Sequence, residues 1–299
     1  MKPTNSPLVS VCSLTFNHAP FLERTLDGFL KQKTEFPIEI IIHDDASTDG
    51  TQDVLCRFER DSNVPVRILL EEKNQFSQGV NLAFDIMLPQ IRGKYAAICE
   101  GDDWWISPEK LQRQISFMEA HPNCVLTVHN GIRFNSQTGL SSLVDPFSSD
   151  RYLNEEEIFF SFLNNPPTAS FVIRVDTIID YPEYLRRAPI FDDVIRLYCF
   201  EKGDVFYFHD LLSGRTFRHD GSWTRMLEED LALYENYTIR LLEFYREHDL
   251  YTQKRHTELI DTVCRKIGKR FCHIAGSSTS KSILKEVCLL AGIIPEAIK

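Results

Sequence analysis

The chain of 299 residues is 43% hydrophobic and 25% charged, which is typical of a globular protein with one large α/β domain or two domains. Its net charge of -10 argues against a nucleic-acid-binding surface, because phosphate backbones need dense Lys and Arg. No stretch approaches the roughly 18 to 20 unbroken apolar residues of a spanning helix, and the N-terminal residues lack the apolar core of a signal peptide. We therefore expect a cytoplasmic protein.

The first hundred residues alternate between strand and helix patterns. Residues 8–15 alternate apolar and small side chains as a strand does, and residues 17–32 carry apolar side chains at helical spacing. The same reading predicts strands at 38–43, 66–70 and 95–99, with helices after the turn at 44–51 and over 79–88. Successive strand and helix units of this kind predict a parallel sheet with right-handed crossovers.

The second half of the chain has a weaker pattern. It predicts a helix from about 108 to 120, a loop or solvent-facing crossover over about 130–150, strands at 125–129, 171–175 and 205–208, and a helix or buried segment at 194–200. Beyond Ser222 the periodicity is helical, and residues 254–299 hold nine Lys and Arg against four Asp and Glu. This basic region is either a solvated helical face or a surface attracted to an anionic membrane leaflet.

The eight cysteines include no C-x-x-C pair and fall mostly in apolar runs. This usage favours reduced structural thiols over a zinc site or a disulfide framework.

Acidic side chains follow two of the predicted strands. Asp44 and Asp45 come after the second strand, and Glu100, Asp102 and Asp103 come after the fourth. Ligands of open α/β sheets bind beyond the carboxyl ends of the strands, and the second and fourth strands flank a central first strand in a doubly wound sheet. Clustered carboxylates repel one another unless they are solvated, protonated or share a cation. The pattern therefore predicts a Mg²⁺ or Mn²⁺ site that holds a phosphate-bearing ligand.

Four ordered segments carry a family resemblance: VSVCSLTFNHAPFLERTLDGFLKQ, IIHDDASTDGT, EEKNQFSQGVN and GKYAAICEGDDWWISPEKLQRQ. Together they resemble the N-terminal half of family-2 glycosyltransferases, and NPPTASFVIR, FDDVIRLYCFEKG and RTFRHDGSW weakly resemble the acceptor half. The resemblance implies a GT-A fold, which is an α/β fold with a Rossmann-like, mostly parallel sheet flanked by helices, followed here by a helical C-terminal extension. We expect a GT-A domain over 1–225, with a nucleotide-sugar half at about 1–120 and an acceptor half at about 121–225, and a helical region over 226–299.

The resemblance also implies roles for individual residues. Asp102 matches the metal-binding member of the D-x-D motif, although Glu100 stands where the family has its first Asp. Asp192 or Asp193 matches the catalytic base, with the spacing to Gly203 slightly favouring Asp192. His219 is a possible further metal ligand. The residues implied to bind the nucleotide sugar are Thr15, Asn17, Asp44, Asp45, Lys73, Asn74, Glu100, Gly101, Asp102 and Arg218.

The expected activity is an inverting, Mn²⁺- or Mg²⁺-dependent transfer of a sugar from a nucleotide donor to a glycan or lipid-linked acceptor. A UDP-sugar is the favoured donor, and bacterial surface polysaccharide synthesis is the setting that the resemblance implies. Peripheral membrane contact would go through the basic C-terminal region. Two alternatives stay open. One is a sugar-nucleotide nucleotidyltransferase, although the glycine-rich basic loop of such enzymes is missing after the first strand. The other is an inactive GT-A-like nucleotide-binding module.

Overall fold

The structure is a computed structural model that describes residues 6–144, 146–160, 165–275 and 278–293. The chain forms two compact units. Unit 1 comprises Met1–Leu153, Leu163–Asp180 and Lys202–Phe217, and unit 2 comprises Asn154–Phe162, Tyr181–Glu201 and Arg218–Lys299. In the described part of the chain, no helix combines the length and the apolar character needed to span a membrane.

Unit 1 contains a ten-stranded sheet. The strands are β1 (Val9–Thr15), β2 (Ile38–Asp44), β3 (Val66–Leu70), β4 (Tyr95–Ile98), β5 (Trp104–Trp105), β6 (Cys124–Asn135), β7 (Ser141–Leu143), β8 (Arg151–Tyr152), β9 (Val172–Arg174) and β10 (Asp204–Phe217). The order along the sheet is β3-β2-β1-β4-β9-β6-β10-β5, with β7 beside β6 and β8 beside β10. β1 to β4 are parallel with β1 between β2 and β4, which confirms the predicted central strand.

The remaining strands make the sheet mixed. β9 runs antiparallel to both β4 and β6, and β6 runs parallel to β10. Unit 1 also holds the helices α1 (Ala19–Leu30), α2 (Thr51–Asp61) and α3 (Lys110–Ala120). The predicted third helix is helical but irregular, with a π-helix at Leu82–Met87 followed by a 3₁₀ turn at Leu88–Gln90.

Apolar side chains cover both faces of the parallel strands. Val11 and Ile40 belong to one buried cluster with Leu22 and Phe29 of α1, whereas Cys12 belongs to a second cluster. The second cluster also contains Ile41, Met87 and Ala96. Consecutive residues of a strand point to opposite faces, so each strand of this region is buried on both sides. This explains why their sequences are nearly continuous apolar runs.

In the second half of the chain, strands extend further than expected. The segment 130–150 is not a loop throughout, because β6 continues to Asn135 and β7 occupies Ser141–Leu143. The short strand expected at 205–208 is the start of β10, a 14-residue strand with irregular register that ends at Phe217. Polar residues interrupt both strands, and neighbouring backbones satisfy their hydrogen bonds.

Unit 2 is helical. Its helices are α4 (Glu155–Phe160), α5 (Glu183–Arg187), α6 (Phe191–Phe200), α7 (Trp223–Glu229), α8 (Leu231–Tyr251), α9 (Thr257–Ala275) and α10 (Lys281–Ala291). α8, α9 and α10 pack against one another, and Gly268 allows close approach because a Cβ there would lie 2.5 Å from the Cβ of Ala291. The helical C-terminal region is thus confirmed over its described residues, while the domain boundary at 225 stays a prediction.

All eight cysteines are free. Cys56 on α2 is exposed and Cys272 is half-buried, whereas the other cysteines are buried. Burial raises the pKa of Cys124 and of Cys264 to about 12, since the thiolate loses its hydration. The expected reduced thiols are present.

Candidate active site

The carboxyl ends of β1, β2 and β4 meet at one edge of the sheet in unit 1. Thr15, the last residue of β1, lies opposite Asp44, the last residue of β2. On the other side, the backbone N–H of Gly101 donates to the carbonyl of Leu14 over 2.9 Å. The parallel register therefore brings the two predicted acidic segments to either side of the β1 tip, as expected.

Asn17 links the β1 tip to the loop after β2. Its backbone N–H donates to Ser47 Oγ over 2.7 Å, and its Oδ1 accepts from the N–H of Thr48 over 2.9 Å. Asn17 has a φ of 55°, a left-handed conformation that Asn adopts more readily than most residues. The predicted contact of Asn17 with a nucleotide stays a prediction, but its position at this edge agrees with it.

Asp44 and Asp45 are buried and hold the loops on either side of them. Asp44 accepts from Ser47 N over 3.0 Å and from Gln52 Nε2 over 2.7 Å. Asp45 accepts from the N–H groups of Gln75 and Phe76 over 2.6 and 3.1 Å. Both carboxylates thus shape the edge of the site whether or not they also contact a ligand.

The loop after β3 reaches the same edge. Asn74 Nδ2 donates to the carbonyl of Asp45 over 3.1 Å, and Asn74 Oδ1 accepts from Ser77 N over 2.7 Å. Lys73 is exposed beside it. The structure thus brings the predicted residues Lys73 and Asn74 next to the β2 tip.

The acidic loop Glu100–Asp103 is held from two sides. Thr25 Oγ1 of α1 donates to the carbonyl of Gly101 over 3.0 Å. From β10, Thr216 Oγ1 donates to the carbonyl of Asp102 over 2.7 Å, and the N–H of Thr216 donates to Asp103 Oδ1 over 3.1 Å. Glu100 is exposed and Asp102 is half-buried, so both carboxylates can reach a ligand.

Gly101 is required by packing. A Cβ at this position would lie 2.8 Å from both Thr15 Oγ1 and His18 Nδ1. Real Cβ atoms do not approach other atoms so closely, so any larger residue would push the acidic loop away from the β1 tip. Gly101 therefore sets the close spacing of the two segments, in addition to its predicted contact with the donor.

Asp103 is the buried member of the acidic loop. Burial raises its pKa well above the usual value, and the neighbouring charges of Asp102 and Glu100 raise it further. The charge of Arg215 and the hydrogen bond from Thr216 act in the opposite direction. The loop therefore concentrates negative potential at a point where a cation would relieve it.

His18 is a site residue whose role the sequence did not reveal. A ring nitrogen of His18 and a carboxylate oxygen of Asp102 lie within 4.8 Å of each other. Imidazole and carboxylate together suit Mn²⁺, and a carboxylate suits Mg²⁺, so this pair fits the metal that the fold implies. The only indication in the sequence was the position of His18, in the segment that connects the end of β1 at Thr15 to α1.

Arg24 is a second residue near the acidic loop for which the sequence pattern indicated no role. Its guanidinium stacks on the Trp104 ring, 3.5 Å from the centroid, and its Nη2 donates to Thr216 Oγ1 over 3.0 Å. Burial lowers its pKa, while the charges of Asp103 and Asp102 raise it. A cation therefore stands beside the acidic loop on the α1 side. Trp104 itself packs tightly on Gly214, where a Cβ would lie 2.1 Å from its ring.

The two candidates for the base lie in the first turn of α6 in unit 2, and they differ in their surroundings. Asp193 is 5% exposed and forms an ion pair with Arg196 at 2.8 Å, and the side chain of Arg196 is fully buried. Asp192 is half-buried and its Oδ1 accepts from the N–H of Asp193 over 2.9 Å. The ion pair gives Asp193 a structural role, which leaves Asp192 as the better candidate for proton transfer.

Arg218 and His219 begin the last segment of unit 2. Arg218 has a φ of 61° and its Nη2 donates to Glu228 Oε1 over 2.8 Å. His219 is 6% exposed, and its Nδ1 lies 2.9 Å from the carbonyl of Asp220. Their predicted contacts with donor and metal stay predictions.

Comparison with known proteins identifies the family. A family model described as Glycosyl transferase family 2 matches residues 10–175. The chain belongs to this family. The match covers β1 to β9 and includes every predicted nucleotide-sugar residue except Arg218.

Solved structures confirm the GT-A fold of this family-2 chain. TarS 1-349 of Staphylococcus aureus in complex with UDP is 15% identical, with a TM-score of 0.61 over 97% of this chain and 82% of that one. The mannosyltransferase PcManGT of Pyrobaculum calidifontis, in complex with GDP-Man and Mn²⁺, is 14% identical, with a TM-score of 0.55 over 97% and 81%. At these identities the likeness concerns the fold alone.

Curated relatives are similar over part of their length. An uncharacterised protein of Mycobacterium tuberculosis (strain ATCC 25618 / H37Rv) is 31% identical over 186 residues, which are 62% of this chain and 49% of that protein. The putative teichuronic acid biosynthesis glycosyltransferase TuaG of Bacillus subtilis (strain 168) is 37% identical over 113 residues, or 38% and 42%. The Escherichia coli UDP-Glc:alpha-D-GlcNAc-diphosphoundecaprenol beta-1,3-glucosyltransferase WfaP is 35% identical over 112 residues, or 38% and 41%. The matches thus span about half or less of these relatives.

Proposed function

We propose that the protein is an inverting, metal-dependent glycosyltransferase of the hexosyl-transferring type that uses a nucleotide sugar, with a UDP-sugar favoured. The observation that carries the proposal is the proximity of His18 and Asp102 at the edge where the β1, β2 and β4 tips meet. A pair of metal-ligating side chains at this edge suits a donor that carries a diphosphate. The UDP complex of TarS, a protein of the same fold, supports the choice of nucleotide.

The donor would lie along the edge formed by the predicted residues. Asp44 or Asp45 would contact the base or ribose, with Asn17, Lys73 and Asn74 beside it. Thr15 Oγ1 is a buried atom with no hydrogen-bond partner among the described residues, and it lies against Gly101. An unpaired buried hydroxyl is costly, and a ligand oxygen at this edge would satisfy it.

The metal would be held by Asp102 and His18, with His219 proposed as a further ligand. When bound, Mn²⁺ or Mg²⁺ neutralises charge on the diphosphate and so assists departure of the nucleotide. Glu100 would add negative potential around the cation, and Asp103 would hold the loop through the hydrogen bond that it accepts from Thr216. Arg24 balances part of that potential and fixes the orientation of Trp104.

Asp192 is the proposed base. Its carboxylate would take the proton of the acceptor hydroxyl while that oxygen attacks the anomeric carbon from the face opposite the nucleotide. The bond from the anomeric carbon to the diphosphate breaks in the same step, so the configuration inverts and the nucleoside diphosphate leaves. The N–H of Asp193 holds one carboxylate oxygen of Asp192, which fixes its orientation.

The proposed acceptor is a glycan or a lipid-linked glycan of the bacterial cell surface. This setting is supported by TuaG, a putative teichuronic acid biosynthesis glycosyltransferase, and by WfaP, whose acceptor is alpha-D-GlcNAc-diphosphoundecaprenol. The enzyme would work at the inner face of the cytoplasmic membrane.

Calorimetry tests the donor site. We expect UDP to bind with Mn²⁺ present and at least tenfold more weakly without it. Asp102→Asn should remove this metal dependence, because it removes one charged ligand, whereas Asp61→Asn on the exposed end of α2 should leave it unchanged. If the unaltered protein binds UDP with the same affinity with and without Mn²⁺, the proposed metal site is contradicted.

Product analysis then separates the classes of activity. Incubation with a panel of nucleotide sugars should release nucleoside diphosphate and free or transferred sugar. Formation of a nucleotide sugar from a sugar phosphate and a nucleoside triphosphate would instead indicate a nucleotidyltransferase. Tight metal-dependent UDP binding with no turnover of any donor would indicate an inactive binding module.

A further inference from the structure

One face of α9 is basic and exposed. Arg265, Lys266, Lys269 and Arg270 are all exposed, while Val263, Cys264, Gly268 and Phe271 lie on the buried side of the helix. At about 100° per residue, the four cations fall within an arc of about 140° and within about 8 Å along the axis. We call these four residues the α9 basic face.

In the part of the chain that the structure describes, the cations of the α9 basic face are not paired with acids. Arg265 Nη2 donates to Thr262 Oγ1 over 3.2 Å, and Lys266 Nζ lies 4.2 Å from the centroid of the Phe160 ring. Within 6–144, 146–160, 165–275 and 278–293, no carboxylate comes within ion-pair distance of any of the four. In contrast, Asp261 of the same helix pairs with Arg246 at 2.5 Å. The face therefore carries a net positive charge on a chain whose net charge is -10.

Exposed apolar side chains occur on α9 itself and on α10, which packs against it. Ile274, one turn beyond Arg270, is 54% exposed, and Leu289 of α10 is 79% exposed. On α10, Lys281 and Lys285 are exposed at the same four-residue spacing as Leu289. A helix face with Lys and Arg beside isolated exposed aliphatic residues is suited to the interface of an anionic membrane.

We propose that the α9 basic face docks the protein on a bilayer surface rich in anionic phospholipid. The four exposed cations are spread over an arc of about 140° and about 8 Å of helix, so they suit a surface with many phosphates better than one small anion. The inference deepens the proposed function, because it places a lipid-linked acceptor within reach of the enzyme. It does not require donor binding.

Vesicle co-sedimentation with the full chain tests the proposal. We expect binding to vesicles of phosphatidylcholine with 30% phosphatidylglycerol at 50 mM NaCl, loss of binding at 300 mM NaCl, and no binding to phosphatidylcholine alone. Replacing the four cations together by Gln should weaken binding about fivefold for each charge, since each contributes attraction at the surface. Ile274→Ser should weaken it by a smaller factor.

The matched control replaces Lys31, Lys33, Arg57 and Lys94, four exposed cations of unit 1, by Gln. It changes the net charge equally and should keep vesicle binding. Failure of the unaltered protein to bind, equal losses in both quadruple variants, or full binding by the α9 variant would each overturn the proposal. Calorimetry with UDP and Mn²⁺ on the same proteins measures donor binding separately from vesicle binding. Loss of the proposed donor site and loss of the proposed membrane contact can therefore be distinguished.

Discussion

At the residue scale, the two adjacent carboxylates of α6 have different environments. Asp193 is paired with the buried guanidinium of Arg196, whereas Asp192 is half-buried and aligned by the N–H of its neighbour. The sequence motif FDD could not separate them, because the ion pair depends on where Arg196 is buried. The structure supplies the distinction, and single substitutions test it.

Asp192→Asn should lower kcat by at least a hundredfold, because the amide cannot accept the acceptor's proton, and should leave UDP binding intact. Asp193→Asn should retain transfer in the folded fraction but lose about 3 kcal/mol of unfolding free energy, since Arg196 is left buried without its carboxylate. Donor turnover and urea unfolding measure the two effects. The assignment fails if Asp192→Asn keeps its activity while Asp193→Asn, still folded, loses it.

The Asp193–Arg196 pair also offers an internal control. Replacing both residues together with Leu and Met should recover much of the stability lost in Asp193→Asn, because no buried charge remains. Recovery of stability without a change in turnover would confirm that the pair is structural.

At the element scale, the site depends on how closely the acidic loop approaches the tip of β1. Gly101 touches Thr15 and His18, and Thr216 of β10 holds Asp102 and Asp103 from the other side. The predicted order of strands and helices placed both acidic segments at the correct edge. It predicted only the start of β10, because the segment from His209 to Thr216 is mostly polar and forms a strand through pairing with β6 and β5.

Gly101→Ala should weaken Mn²⁺-dependent UDP binding at least tenfold and lower the unfolding free energy by about 1–3 kcal/mol, since the new Cβ overlaps Thr15 and His18. Gly139→Ala is the matched control. Its φ is +70° and nothing lies within 4 Å of an added Cβ, so it should cost about 1 kcal/mol of strain without affecting UDP. Equal effects of the two alanines on UDP binding would refute the packing role.

At the scale of the whole molecule, the pH dependence of stability should show a contribution from unit 2. The ring of His248 is buried among Tyr184, Phe244 and Tyr251. Burial, together with the charges of His256 and Arg255, lowers its pKa from 6.5 to about 3. Between these pH values the unfolded chain binds a proton that the folded chain does not. Stability is therefore lost as the pH falls below about 6.5, at up to about 1.4 kcal/mol per pH unit.

His248→Phe should remove this contribution, so the difference in unfolding free energy between pH 7 and pH 5 becomes smaller by about 1–2 kcal/mol than in the unaltered protein. The variant loses the hydrogen bond between Tyr184 Oη and His248 Nδ1, which lowers stability equally at both pH values. His121→Phe, at an exposed position, should leave the difference unchanged. Urea unfolding followed by circular dichroism measures it, and an unaltered slope in His248→Phe would contradict the assignment.

Much of unit 1 was predictable because the sequence patterns that mark its strands and turns involve residues close together in the chain. Buried parallel strands give continuous apolar runs, and Asp and Gly mark their ends, so β1, β2, β4 and their acidic tips followed from the sequence. His18 and Arg24 did not, because their roles arise from neighbours distant in sequence, namely Asp102 and Thr216. The π-helical turn at Leu82–Met87 likewise has no pattern that separates it from an α-helix.

The distribution of free thiols has a practical consequence. Cys56 is the exposed cysteine, and it lies on α2, whose preceding loop is held by Asp44 through Ser47 and by Asp49 through Thr51. A maleimide dye would attach to Cys56 faster than to the buried thiols, because it needs access to the thiolate. The unaltered protein therefore carries its own attachment point for a fluorescent reporter, on the helix next to the proposed nucleotide edge.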